Sequence, residues 1–391
     1  MNTPAHPGPV YLDHNATTPV DPRVVEAMLP FLADGFGNPS SAHVYGTGPR
    51  AALARARRQV AALLGAGPGE IVFTGSGSEA DNLALRGAVL AAGPGRRRVI
   101  TQVTEHPAVL EACRALHRLH GTEVTWLPVG RDGRVDPADL AAHLDGRTAV
   151  VSVMAANNET GTLQPVDELA RLAHERGALF HCDAAQAAGK VPLDVRVLGA
   201  DLVTVVGHKL YAPKGVGALY VRSGVRLEPL VYGGGQEGGL RAGTENVALA
   251  VALGSAADLA AADLADGAGP RLAALRDRLH RELSRTLPGR VRLNGSARHR
   301  LPNTLNLSVD GVTGHDLLAA APGLAASTGS ACHSGAHSPS PVLRAMGLDK
   351  VRALAAVRLS LGRWTTEAEV DRAAGLLVAA VRSLSPAPVP S

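Results

Sequence analysis

The stretch "STGSACHSGAHSPS" (327–340) sets Cys332 among serines, glycines, histidines and prolines, residue types that hold a segment at the protein surface. A free cysteine more often serves as a small buried apolar group, so this one asks for a chemical reason. Metal binding falls short, because Cys332, His333 and His337 supply three ligands where a closed structural zinc site takes four. A thiol with no task gains only exposure to oxidation. A nucleophile presented to a crevice by a loop accounts for both the exposure and the composition.

Two further stretches suggest the crevice. "FHCDAAQAAGK" (180–190) and "VVGHKLYAPKG" (205–215) set Asp183, Gln186, His208 and Lys209 beyond apolar runs, at the strand ends where open α/β sheets bind ligands. "TGSGSEADN" (74–82) follows another strand and opens a helix. Its glycines at 75 and 77 permit a tight turn, and the unpaired N–H groups of the helix start attract a phosphate, with the Ser78 hydroxyl beside them. The plain alternative is an N-cap after a turn, and neither GxxxxGK nor GxGxxG is present there. A lysine in a partly desolvated cleft has a lowered pKa and can form a Schiff base. With a carboxylate and a phosphate site it makes the set that pyridoxal phosphate requires: Lys209 for the Schiff base, Asp183 for the pyridinium nitrogen, residues 75–78 for the phosphate.

Other polar positions are individually weaker. His106 in "TEHPAV" (104–109) either stacks on a cofactor ring or caps the helix that Pro107 begins. "NNETG" (157–161) ends a strand with two amides. Arg358 in "AVRLSLGR" (356–363) is flanked by apolar residues, and either holds a substrate carboxylate bidentately or forms an ion pair within the protein.

Placing these groups takes a layered α/β domain. "EIVFTG", "RRVITQVT", "EVTWLPV", "TAVVSVMAA", "GALFHCDAA", "ADLVTVVGH" and "GVGALYVRS" read as seven strands between amphipathic helices, a mostly parallel sheet. An Ala/Leu/Asp-rich stretch to about residue 265 reads as one long connecting helix, and "RVRLNG", "LPNTLNLSV" and a terminal helix make a small α+β domain. The expected division is 15–255 and 256–391, with residues 1–14 packing near the second unit. At 391 residues, 46% hydrophobic and 19% charged, the chain is too long for one compact core. A formal charge of +4 with no basic stripe gives no reason to expect nucleic acid. Three cysteines without disulfide spacing fit a reducing compartment. No signal-peptide pattern is seen at the start, and no apolar run reaches the roughly 18 residues of a membrane span, so a cytoplasmic protein without membrane contact is expected.

From "YLDHNATTPVDPRV" (11–24) through "GNPSS", "TEHPAV", "NNETG", "DAAQ", "GHKLYAPKGVGALY", "GGGQE", "RAGTEN", "LPNT" and "SACHS" to "VRLSLGRWTTEAEVD" (357–371), the chain resembles the cysteine desulfurases and selenocysteine lyases. These are pyridoxal phosphate enzymes of the class-V aminotransferase type and fold type I. The resemblance implies a homodimer converting L-cysteine, or alternatively L-selenocysteine, to L-alanine. It makes Lys209 the Schiff-base lysine and Cys332 the nucleophile that carries a persulfide to an acceptor protein and contacts an iron–sulfur cluster transiently. It places Asp183, Gln186 and Asn158 at the ring and His106 over it. Gly77, Ser78 and His208 take the phosphate, with Thr244 reaching in from the partner subunit, and Asn38 and Arg358 take the substrate carboxylate. Val206, where desulfurases generally carry Ser or Thr, looks like the lyase form; Pro107 does not. A non-catalytic scaffold of the same fold is the reading of a different class.

Overall fold

The computed structural model describes residues 8–328 and 338–384. The chain opens on a short strand β1 (Val10–Tyr11), after which β2 (Ile71–Thr74), β3 (Arg98–Gln102), β4 (Glu123–Leu127), β5 (Thr148–Ser152), β6 (Leu179–Asp183), β7 (Leu202–Val206) and β8 (Gly217–Val221) build one sheet. Its order is β2-β8-β7-β6-β5-β3-β4. Strands β3 to β7 run parallel, and β8 lies antiparallel between β7 and β2. The seven-stranded, mostly parallel sheet expected from the sequence is therefore present. Strands β5, β7 and β8 are buried at every position, as unbroken apolar runs are when helices cover both faces.

One face is covered by the helices Val44–Leu64 and Val247–Ala265, packed closely on each other. Gly254 permits the approach, since a Cβ there would lie 2.6 Å from Ala56 Cα. The second helix corrects one expectation: its 19 residues have a hydropathy of 1.7, long and apolar enough to cross a membrane by length and composition. The sequence reading missed it because Asp258 and Asp263 interrupt the run. Ten of its residues are buried within the protein, the signature of a core helix. It runs unbroken past residue 255, with Ala256, Ala257 and Ala260 still in the large core.

Gly267, at φ +78°, ends that helix and admits the next, Ala268–Thr286. Leu272, Leu275, Leu279 and Leu283 of the latter enter a second core. Around it lie β9 (Val291–Leu293), β10 (Thr304–Val309), β11 (Leu324–Ala325), β12 (Ala356–Ser360) and the terminal helix Glu367–Leu384. Here β12-β10-β9 form an antiparallel sheet, and β1 pairs in parallel with β11, sending Val10 and Leu12 into the same core.

Candidate active site

At the carboxyl ends of β6 and β7 the chain leaves the sheet, and the polar residues that follow line a cavity of about 390 Å³. A 3-10 turn, Gly207–Lys209, follows β7. A Cβ on Gly207 would lie 2.9 Å from the Val216 carbonyl oxygen, so only glycine lets this turn rest on β8. Lys209 Nζ donates to the carbonyl oxygens of Asn15 at 2.5 Å and Ala16 at 2.6 Å. Burial, and next the charge of Arg358, bring its pKa down from 10.5 to about 8, against opposing pulls from Asp13 and Asp183. Its neighbour His208 stays neutral, lowered to about 4 by burial and by Lys209, with Nδ1 3.1 Å from Thr17 Oγ1.

Asp183 ends β6 at 5% exposure and accepts from Ala185 N at 2.9 Å. Burial raises its pKa, while His106 and Lys209 draw it back. Gln186, one turn on, donates from Nε2 to Asn15 O at 2.9 Å and accepts from Lys190 Nζ at 2.8 Å. Burial pushes Lys190 down to about 7, with Lys209 and Arg358 adding to it.

The helix Gly77–Ala91 begins on the cavity wall, its N-cap Ser76 accepting from Glu79 N at 3.1 Å. Gly77 fits because Val206 fills the space its side chain would take: a Cβ would lie 2.4 Å from Val206 Cγ2. The cap alternative for His106 is present, its Nδ1 accepting from Ala108 N at 3.2 Å, and the ring lines the cavity. Arg358 likewise satisfies the ion-pair alternative, with Nη2 2.7 Å from Asp13 Oδ1 and Nη1 donating to Asn158 O at 3.1 Å. Its Nε is buried without a hydrogen-bond partner, a donor still available beside the cavity it lines.

Nine of the expected site residues thus line one cavity: Gly77, Ser78, His106, Asn158, Asp183, Gln186, His208, Lys209 and Arg358. Asn38 and Thr244 are exposed and lie outside its lining. Cys332 lies outside the described residues; Cys113 and Cys182 are buried. Sequence reasoning missed Asn15, which acts through its backbone carbonyl, and Glu105 and Asp81, two buried carboxyls. The available signal for Asp81 was an acidic residue on the apolar face of its helix, between Ala80 and Leu83.

These residues fit pyridoxal 5′-phosphate. The donor set has a helix start for the phosphate, a lysine whose pKa burial has lowered, a buried carboxylate for the ring nitrogen and an open guanidinium donor for a carboxylate. With that set at the carboxyl ends of a mostly parallel sheet, fold and site together define a fold-type-I pyridoxal phosphate enzyme. The chain belongs to the aminotransferase class-V family, whose model matches residues 10–373. It is 49% identical over 382 residues to a cysteine desulfurase of Trichormus azollae, covering 96% of this chain and 94% of that protein. Among solved structures it resembles a NifS-like protein at a TM-score of 0.89 with 37% identity, covering 96% of this chain and 100% of that one. It also resembles SspA in complex with cysteine, at 0.80 with 33% identity over 91% and 99%.

Proposed function

We propose that this protein is a cysteine desulfurase, converting L-cysteine to L-alanine and passing the sulfur through a persulfide on Cys332 to an acceptor protein. The observation that carries the reading is Lys209, an amine drawn toward neutrality in a cavity shared with Asp183 and Arg358, on a chain half identical to a desulfurase along 96% of its length. When bound, pyridoxal phosphate supplies an electron sink for the carbon carrying the amino group. Lys209 would hold it covalently, Asp183 would balance its ring nitrogen, and the start of the Gly77 helix with His208 would hold its phosphate. Gln186 and Asn158 would flank the ring, with His106 against its face. Arg358, with Asn38, would bind the substrate carboxylate. Lys209 Nζ, once released, would take the substrate α-proton. The Cys332 thiolate would attack the substrate sulfur, the electron pair of the breaking Cβ–S bond passing to Cβ; with the thiol proton going to Cβ and Lys209 returning the α-proton, a persulfide is left on Cys332 and L-alanine leaves.

A homodimer suits two observations. Leu29, Leu32, Phe36, Val44 and Tyr45 form a set of exposed large apolar side chains, and Thr244 stands exposed away from its own cavity, where it could serve a second copy. We place the division between the two folding units at Gly267, since the helix ending at Ala265 packs with the large core. A cytoplasmic location is part of the same reading. The test is alanine formation by cofactor-loaded protein from L-cysteine and L-selenocysteine in parallel. Sustained turnover of L-cysteine, lost in Cys332→Ala, is expected; cysteine acting only as an inhibitor of selenocysteine cleavage would overturn the reading.

A further inference from the structure

The cavity floor holds a second carboxyl that no role above uses. Asp81, on the core side of the helix Gly77–Ala91, is 2% exposed and lines the same cavity as Asp183. Its Oδ1 has no hydrogen-bond partner. Behind it runs a row of polar side chains from three neighbouring strands. Ser152 Oγ lies 2.9 Å from His181 Nδ1, and His181 Nε2 lies 3.1 Å from Thr204 Oγ1 and 3.6 Å from Asp81 Oδ1. Thr204 also hydrogen-bonds Asp81, and it stands opposite Asp183 in the β6–β7 register.

The donors in this row can be ordered. Burial keeps His181 neutral, its pKa down at about 3, so it carries one N–H. A threonine that donates to Asp81 is free to accept from His181, which places the imidazole proton on Nε2 and leaves Nδ1 to accept from Ser152. The row thus supplies Asp81 with one neutral hydroxyl donor and no cation. Asp183, on the strand beside it, faces Lys209 and His106 instead. Glu105, the third carboxyl of the cluster, accepts from Gln102 Nε2 at 2.8 Å and Met154 N at 2.7 Å. Burial and Asp183 push it up to about 8, and Asp81 is raised by burial, Asp183 and Glu105 together. Three buried carboxyls this close do not all ionise, and the charge settles on the one that sees cations.

We propose that Asp81 is a positioning residue that stays protonated and neutral, confining the negative charge of the cavity floor to Asp183, where the cofactor ring nitrogen would meet it. The consequence for catalysis rests on the functional reading above; the protonation of Asp81 does not.

The test is infrared difference spectroscopy on the cofactor-loaded full chain near neutral pH. Wild-type protein shows the C=O band of protonated carboxylic acids, part of which is lost in Asp81→Asn and retained in Asp183→Asn; Glu105→Gln removes a separate component. Absence of the band in wild type, or no loss of it in Asp81→Asn, would each overturn the proposal. The wild-type band covers a variant that does not fold. Because it reads the proton without substrate, loss of the band in Asp81→Asn by a chain that makes no alanine from L-cysteine would support this proposal and overturn the functional reading.

Discussion

Lys209 was legible in the sequence because a charge at the end of the run "ADLVTVVGHK" is an anomaly, and Asp183 for the same reason. Asn15 was illegible, since its working atom is a carbonyl oxygen that every residue type carries. Glu105 and Asp81 were illegible for another reason: what makes them unusual is the company of Asp183, which lies about 80 to 100 residues away in the chain and is brought near only by the sheet. The lysine's environment gives a pH prediction. Only the neutral amine captures an aldehyde, and a pKa lowered to about 8 leaves roughly a tenth of the population neutral at pH 7, against well under a thousandth for an ordinary lysine. The rate at which cofactor-free protein reloads pyridoxal phosphate should therefore rise with pH, half-complete near 8 and flat above 9. A rise continuing past pH 10 would contradict the desolvated lysine, and Lys209→Ala should show no visible absorbance after removal of free cofactor.

Among the elements, strand existence and order were readable from apolar runs bounded by turn residues, whereas strand ends were not. The runs continue into residues that leave the sheet to build the cavity, such as Ala184, Ala185 and Gly207, and apolar or small character alone does not separate the two. The fit of Gly77 against Val206 is a contact between two elements 129 positions apart, invisible to any local pattern. Gly77→Ala should push the helix start off β7 and weaken cofactor binding by about 1–3 kcal/mol, the usual cost of overpacking. Adding Val206→Ala should recover most of that loss; equilibrium dialysis of the cofactor reads both. The turn after Lys209 is held as firmly. Tyr211 adopts φ +65°, uncommon for a non-glycine residue, beneath the Arg363 guanidinium 4.2 Å above its ring. Arg363 in turn pairs with Asp21 and Asp263, each at 2.6 Å. Arg363→Leu should cost about 2 kcal/mol in urea unfolding, below the roughly 3–5 of a stranded buried charge because Arg23 still pairs with Asp21. An unchanged unfolding midpoint would show that the cluster is not holding the turn.

For the whole molecule, the exposed apolar side chains of residues 29–45 give the clearest prediction. Paired Leu32→Glu and Phe36→Glu substitutions should convert a dimer to a monomer in sedimentation velocity, with turnover falling as Thr244 loses its place. A wild-type monomer at micromolar concentration would remove the dimer from the reading. The N-terminal segment shows a different constraint. Asn15 and Ala16 hold Lys209, but the same segment is fixed by Asp13 on Arg358 and by Leu12 O accepting from Ser360 N at 2.7 Å, partners 345 and 348 residues further along. During synthesis, at about 5–20 residues per second, those partners follow the first strand by on the order of tens of seconds. Until then Leu12 and Asp13 lack these partners and the cavity lacks a wall. Cofactor capture is thus a late event in the life of each chain, and a ribosome that stalls before β12 releases a polypeptide whose large sheet can form but whose cavity cannot close.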